Sequence, residues 1–267
     1  MERFFIFAMP RSGTTSLAFL LGTQHEVAHE PFNERSGALR DDRGLRKLLS
    51  QWSCLPEQLP SSTPEGQGPQ LNRMASLVAN EKSCAQYLER LFTHYQGIKH
   101  TWPVLSNEGN HRIIDWCKAN SICIIFQYRK NIARAVLSAR LARQTGIWQM
   151  TGQDSTEMRD KWNRAQFESI NVQQFNRQCR NWSRQKASHL DRLAGARCFR
   201  LAYEHLYEGW TWRRRRTLKR LCKHLSITAG ELKPNDVQRL LFNPQKKQSS
   251  REVLRRIPNY RELRPFL

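Results

Sequence analysis

The chain opens on Phe4-Phe5-Ile6-Phe7-Ala8-Met9-Pro10-Arg11-Ser12-Gly13-Thr14-Thr15-Ser16-Leu17, and this stretch limits the possible folds more than any other. An apolar, aromatic run reads as a buried strand. It breaks at Pro10, and Leu17, Leu20 and Leu21 then recur at helical spacing. Strand, tight loop and helix in succession build an anion cradle. Backbone N–H groups at an open helix N-terminus converge on negative charge, and the helix dipole favours it there. Gly13 permits close backbone approach. Arg11 adds a cation, while Ser12, Thr14, Thr15 and Ser16 add hydroxyls. A Ser- or Thr-capped helix start would explain Ser12 or Thr14 but not the whole string.

The loop is not the nucleoside-triphosphate loop G-x-x-x-x-G-K-[ST]. Ala8 stands at the first Gly position and Thr14 at the Lys position. The lysine that grips the β- and γ-phosphates is missing, which disfavours an ordinary ATP or GTP site. Pro-Arg-Ser-Gly-Thr-Thr after a strand instead resembles the 5′-phosphosulfate loop of sulfotransferases that use PAPS (3′-phosphoadenosine 5′-phosphosulfate).

Further along, apolar β-branched runs alternate with helical patterns, the signature of an α/β fold with a parallel sheet. The expected architecture is a single domain over 1–267, like that of P-loop NTPases, with helices on both faces of the sheet. Short strands are expected at Glu26–His29, Gly97–Trp102, Ser121–Tyr128 and Arg197–Tyr203. Helices are expected from Asp42 to about Trp52, Asn80 to Tyr95, Asn131 to Thr145 and Phe167 to Leu193. The proline-rich segment 53–73 and the polar segment 149–165 read as mobile loops that shape the acceptor pocket.

Several blocks extend the resemblance. Tyr128-Arg129-Lys130-Asn131, followed by Ser138 and Thr145-Gly146-Ile147-Trp148, is similar to the block that binds the 3′-phosphate. The family's usual Arg-to-Ser spacing of eight falls on Lys130, while Arg129 lies nine before Ser138; both remain candidates. Together with Gly97-Ile98-Lys99-His100-Thr101-Trp102, the Thr145–Trp148 element looks most like the bacterial trehalose and carbohydrate sulfotransferases. In those enzymes a Glu-Pro pair after the second strand supplies the proposed base, which implies Glu30 in Ala28-His29-Glu30-Pro31-Phe32. Burial among apolar neighbours is expected to raise its pKa. The phenol and steroid enzymes use a histidine, which would make His100 the base, with His29 behind it. Near the end, Lys246 and Lys247 precede Asn259-Tyr260-Arg261-Glu262-Leu263, in the order of the family's closing segment, where a basic loop folds over the nucleotide. Tyr203-Glu204-His205-Leu206 matches a structural element of the family.

The resemblance implies transfer of a sulfuryl group from PAPS to a hydroxyl of a small molecule or glycan, giving a sulfate ester and PAP. Arg11 would stabilise the leaving phosphate, and no metal is implied. A formal charge of +21 points to anionic partners. Much of it sits in Arg213-Arg214-Arg215-Arg216, Lys219, Arg220 and Lys223, interleaved with Leu218, Leu221 and Leu225, an amphipathic helix with a basic outer face. A P-loop kinase and a basic nucleic-acid-binding protein are the rivals; the second has no zinc, RNP or helix-turn-helix signature. Seven scattered cysteines and no apolar leader or span suggest reduced thiols in a cytoplasmic protein. A homodimer is compatible with these features.

Overall fold

In the computed structural model the described residues are 2–33, 73–148, 155–228, 231–242 and 251–267. The expected helix over 42–52, the loop up to residue 72, and Lys246 and Lys247 lie outside them. The described elements are β1 (Phe4–Ala8), α1 (Thr14–Leu21), β2 (Val27–His29), α2 (Arg73–Ala79), α3 (Glu81–His94), β3 (Gly97–Thr101), α4 (Asn107–Ala119) and β4 (Cys123–Tyr128). They continue with α5 (Ile132–Thr145), α6 (Ser155–Arg164), α7 (Val172–Arg192), β5 (Cys198–Ala202) and α8 (Thr211–His224), before short helical turns at the C-terminal end.

The strands form one parallel sheet in the order β2-β3-β1-β4-β5. Side chains alternate across β1. Phe4, Ile6 and Ala8 pack with Cys123, Ile125 and Leu201 beneath α1 and α8. Phe5 and Phe7 pack with Ile124 and Phe126 on the opposite face, against α3, α4, α5 and α7. Burial on both faces explains why β1 and β4 read as nearly unbroken apolar runs. The chain leaves β1 toward the β2 edge and leaves β4 toward the β5 edge. The carboxyl ends of these neighbouring strands therefore flank a crevice, the position where open α/β sheets bind ligands.

Two boundaries differ from expectation. Residues 155–164 are helical, with Trp162 buried, so the segment 149–165 is not all loop. The long helix begins at Val172, capped by Asn171, and not at Phe167. Phe167 and Ile170 are buried, but Asn259 takes the backbone of Ile170. Ile170 N–H donates to Asn259 Oδ1 at 3.0 Å, and Asn259 Nδ2 donates to the Ile170 carbonyl at 2.8 Å. An apolar pattern is thus continued without helix. No described helix is long and apolar enough to cross a membrane.

The α7 side of the sheet holds an aromatic cluster around two buried histidines. His100 packs against Phe5, Phe7 and Phe32, and His189 against Phe7 and Trp102. Among the described residues neither ring nitrogen of His189 has a hydrogen-bond partner, nor does His100 Nδ1. Burial lowers the pKa of His100 to about 4 and that of His189 to about 3. Unfolding lets both take protons near the ordinary histidine value, so stability is complete above about pH 6.5 and falls as pH drops toward 4. For His100 the loss is on the order of 3 kcal/mol. The melting midpoint is expected to fall steeply between pH 6.5 and 4.5, with a shallower fall in His189→Leu. A midpoint flat over that range would contradict this account.

Candidate active site

The loop after β1 is built by its own polar groups. Ser12 Oγ donates to the Met9 carbonyl at 2.6 Å, and Gln127 Nε2 donates to the Ser12 carbonyl. The Met9 N–H donates to the Gln127 carbonyl at 2.8 Å, which ties the loop to β4. Ser12 therefore folds the loop and does not cap α1. Helices α3, α4, α5 and α7 are capped by the side chains of Asn80, Ser106, Asn131 and Asn171. Helix α1 starts at Gly13 with no side-chain cap, so its first-turn amides stay available to an anion. A Ser- or Thr-capped start is not what this loop is. Thr14 is buried, and Thr15 and Ser16 are half-buried on that first turn.

Gly13 is required in two ways. Its φ is +77°, and a Cβ there would lie 2.7 Å from the Tyr207 ring, whose hydroxyl donates to the Gly13 carbonyl at 2.7 Å. Gly13→Ala is expected to cost about 2 kcal/mol or more in urea unfolding. Adding Tyr207→Leu should recover part of that loss. Unchanged stability in Gly13→Ala would show that the loop yields easily.

Arg11 also has a left-handed backbone, with φ 63°, a conformation that costs a non-glycine residue roughly 1–2 kcal/mol. Its guanidinium reaches across the crevice. Nε donates to Ser138 Oγ on α5 at 3.0 Å, and a terminal nitrogen donates to the Trp148 carbonyl. Among the described residues it forms no ion pair. Burial and the nearby Arg129 charge lower its pKa to about 10. Arg129 is itself buried, with its guanidinium 4.0 Å from the Tyr203 ring centroid and 3.9 Å from Glu208. Two partly desolvated cations and a buried serine hydroxyl thus meet where β1 and β4 end.

Between the spacing alternatives, the structure places Arg129 beside Arg11 and turns Lys130 outward. Lys130 is exposed, and its charge bears on His205. Glu204 accepts the Lys130 and Asn131 N–H groups at 3.0–3.2 Å, which fixes the turn into α5. Tyr203 stacks on Tyr207 with centroids 4.8 Å apart. Arg129, Tyr203, Tyr207 and Gly13 therefore form a column that ties the end of β4 to the loop. Tyr203, Tyr207 and Gln127 were not among the candidates taken from the sequence. For Gln127 the available signal is a polar residue in a strand buried on both faces; Tyr203 stands in the Tyr203–Leu206 element read as structural, and nothing in the sequence marks its stacking on Tyr207.

Glu30 follows β2 with φ 51°. Its carboxylate pairs with the buried Lys99 ammonium, accepts from Asn33 Nδ2 at 2.8 Å, and lies 3.5 Å from Thr101 Oγ1. Strand β3 separates β2 from β1, so Glu30 starts about 10 Å from the loop strand. Its side chain leans back over the end of β3, where Thr101 pairs in register with Ala8. The expected rise in pKa is corrected. Burial pushes the carboxyl up, but the Lys99 charge, its hydrogen bond and that of Asn33 outweigh it, and Glu30 titrates below the ordinary carboxylate range. It is ionised at neutral pH.

His100 is fully buried and joined to Asn110 Oδ1 at 2.9 Å. Its low pKa makes it a neutral core residue, on the sheet face opposite to that of Lys99. His29 sits at the β2 end with its ring 4.8 Å from that of Phe19. The structure brings Arg11, Gly13, Thr14, Ser138 and Arg129 together, sets Glu30 two strands away, and holds His100 inside the core. No family model matches the chain, and no similar sequence is found among the curated proteins.

Proposed function

We propose that the chain is a PAPS-dependent sulfotransferase that sulfates a hydroxyl of a carbohydrate acceptor. The observation that carries this reading is the convergence of Arg11, Arg129 and Ser138 beside an uncapped helix start. Two cations that raise each other's energy, one without a carboxylate partner among the described residues, fit a ligand with two separated anionic groups. Arg11, Gly13 and the first-turn amides of α1 would hold the 5′-phosphosulfate, and Arg129 with Ser138 the 3′-phosphate. PAPS supplies the sulfuryl group. Glu30, held ionised by Lys99, takes the proton of the attacking hydroxyl, and Arg11 with the loop amides carries the charge that builds on the departing phosphate. Positive backbone angles at both Arg11 and Glu30 suit this reading, because strained conformations persist where surrounding structure holds them for a purpose.

Turnover with sulfur-labelled PAPS and a panel of hydroxylated sugars tests it. Label is expected to reach a sugar ester, and to do so in EDTA, since Arg11 and backbone amides provide the charge that Mg²⁺ provides in phosphoryl transfer. No transfer from PAPS, together with Mg²⁺-dependent consumption of ATP, would replace this reading with a kinase.

A further inference from the structure

We infer that the outer face of α8, with Trp210 before it, is a docking surface for an extended anionic polysaccharide that carries the acceptor hydroxyl. The acceptor role rests on the sulfotransferase reading; the binding surface does not. Trp212, Arg213, Arg216, Lys219, Arg220 and Lys223 are all exposed. At 100° per residue they fall within an arc of about 120° and extend about 17 Å along the helix. Trp210 and Trp212 are 75% and 57% exposed, which is unusual for large aromatic rings. None of the six cations at 213, 215, 216, 219, 220 and 223 forms an ion pair among the described residues. A dense row of cations without counter-charges attracts a linear polyanion; the Arg213 guanidinium lies 5.1 Å from the Trp212 ring centroid on one face, and the exposed Trp210 ring and the remaining surface of Trp212 suit sugar rings.

The patch also continues to the site. Arg213, Arg220 and Lys130 all lower the pKa of His205, so the positive field runs from α8 to the residue next to Arg129. Glu30 lies beyond, at the other side of the sheet. With the Glu30 carboxylate over the end of β3, three strand spacings, about 14 Å, separate it from the β5 edge. A single sugar cannot bridge that span, whereas a chain can. A membrane surface fits less well. The apolar stripe of α8 (Leu218, Leu221, Cys222 and Leu225) is buried in the core, and lipid insertion of a helix needs that stripe outward.

The test compares the wild-type chain with the variant Arg213→Gln/Arg216→Gln/Arg220→Gln/Lys223→Gln and with Trp212→Ala, all at exposed positions. Binding of size-fractionated polygalacturonate, neutral amylose, single- and double-stranded DNA, and phosphatidylglycerol vesicles is measured at several salt concentrations, alongside PAP affinity. Polygalacturonate is expected to bind most tightly, about tenfold or more weaker in the quadruple variant with a shallower salt dependence. It should be several-fold weaker in Trp212→Ala, with PAP affinity unchanged in both. Equal polygalacturonate binding by wild type and both variants would overturn the inference. So would tighter binding of DNA or vesicles that the same substitutions abolish. Loss of PAP binding by the wild type, with polygalacturonate binding intact, would remove the sulfotransferase reading and leave the surface standing.

Discussion

Glu30→Gln is expected to lower kcat by roughly 10²–10⁴-fold, the range for loss of a general base, while PAP affinity changes little. The same substitution does a second thing. It leaves the Lys99 ammonium buried without its counter-charge, and breaking a buried pair from one side costs about 3–5 kcal/mol. A drop in activity could then report a damaged fold, so the informative protein is Glu30→Gln/Lys99→Met. Removing both charges should restore most of the melting midpoint without restoring turnover. Near-wild-type activity in the double variant would show that Glu30 and Lys99 are a structural pair and that the base lies elsewhere. His100→Asn should lower stability and leave kcat within a few-fold, because its ring is enclosed by Phe5, Phe7 and Phe32. A dead but folded His100→Asn would return the base to the histidine.

The second large effect is expected at the proposed 3′-phosphate clamp. Arg129→Met removes a buried cation whose charge acts on Arg11, and Ser138→Ala removes the hydroxyl that meets Arg11 at 3.0 Å. Hydrogen bonds to a charged group contribute about 1.5–3 kcal/mol, so each variant should bind PAP about 10–100-fold more weakly. AMP, which has no 3′-phosphate, should bind each variant as it binds wild type. Lys130→Met should change neither ligand by more than about twofold, since an exposed charge is screened by solvent. If Lys130→Met matches Arg129→Met, the clamp is built from the other residue. Arg129 also faces Tyr203 and Glu208, so a melting curve must accompany the titration.

Much of the architecture was legible because its signals are local. The apolar runs of β1 and β4, the Asn caps of α3 and α5, and the leucine spacing of α8 each follow from a few neighbouring residues. The strand–loop–helix around Gly13 was legible for the same reason: its parts lie in one stretch of sequence. What escaped depends on residues brought together from afar. The choice between Arg129 and Lys130 turns on which side of β4's exit faces Arg11, and a one-residue difference in spacing could not decide it. The depressed pKa of Glu30 comes from Lys99 on β3, sixty-nine residues away. The sequence showed a buried carboxylate but not the cation that reverses the effect of burial. The start of α7 was misplaced because Phe167 and Ile170 keep the apolar pattern while Asn259 takes the backbone of Ile170. Tyr203 was marked as part of a structural element, but its stacking on Tyr207 was not legible, since its meaning appears only when Gly13 is seen against the Tyr207 ring.

The proposed site takes two separated anionic groups, one at the uncapped start of α1 and one held by Arg129 and Ser138. Calorimetric titration of the wild-type chain with PAP and with AMP, in the same buffer and salt, tests it most directly. The account predicts that PAP binds at least about tenfold more tightly, from charge-assisted bonds to the 3′-phosphate alone. Equal affinities would mean that Arg11, Arg129 and Ser138 do not form a phosphate clamp, and the sulfotransferase reading would lose its structural basis.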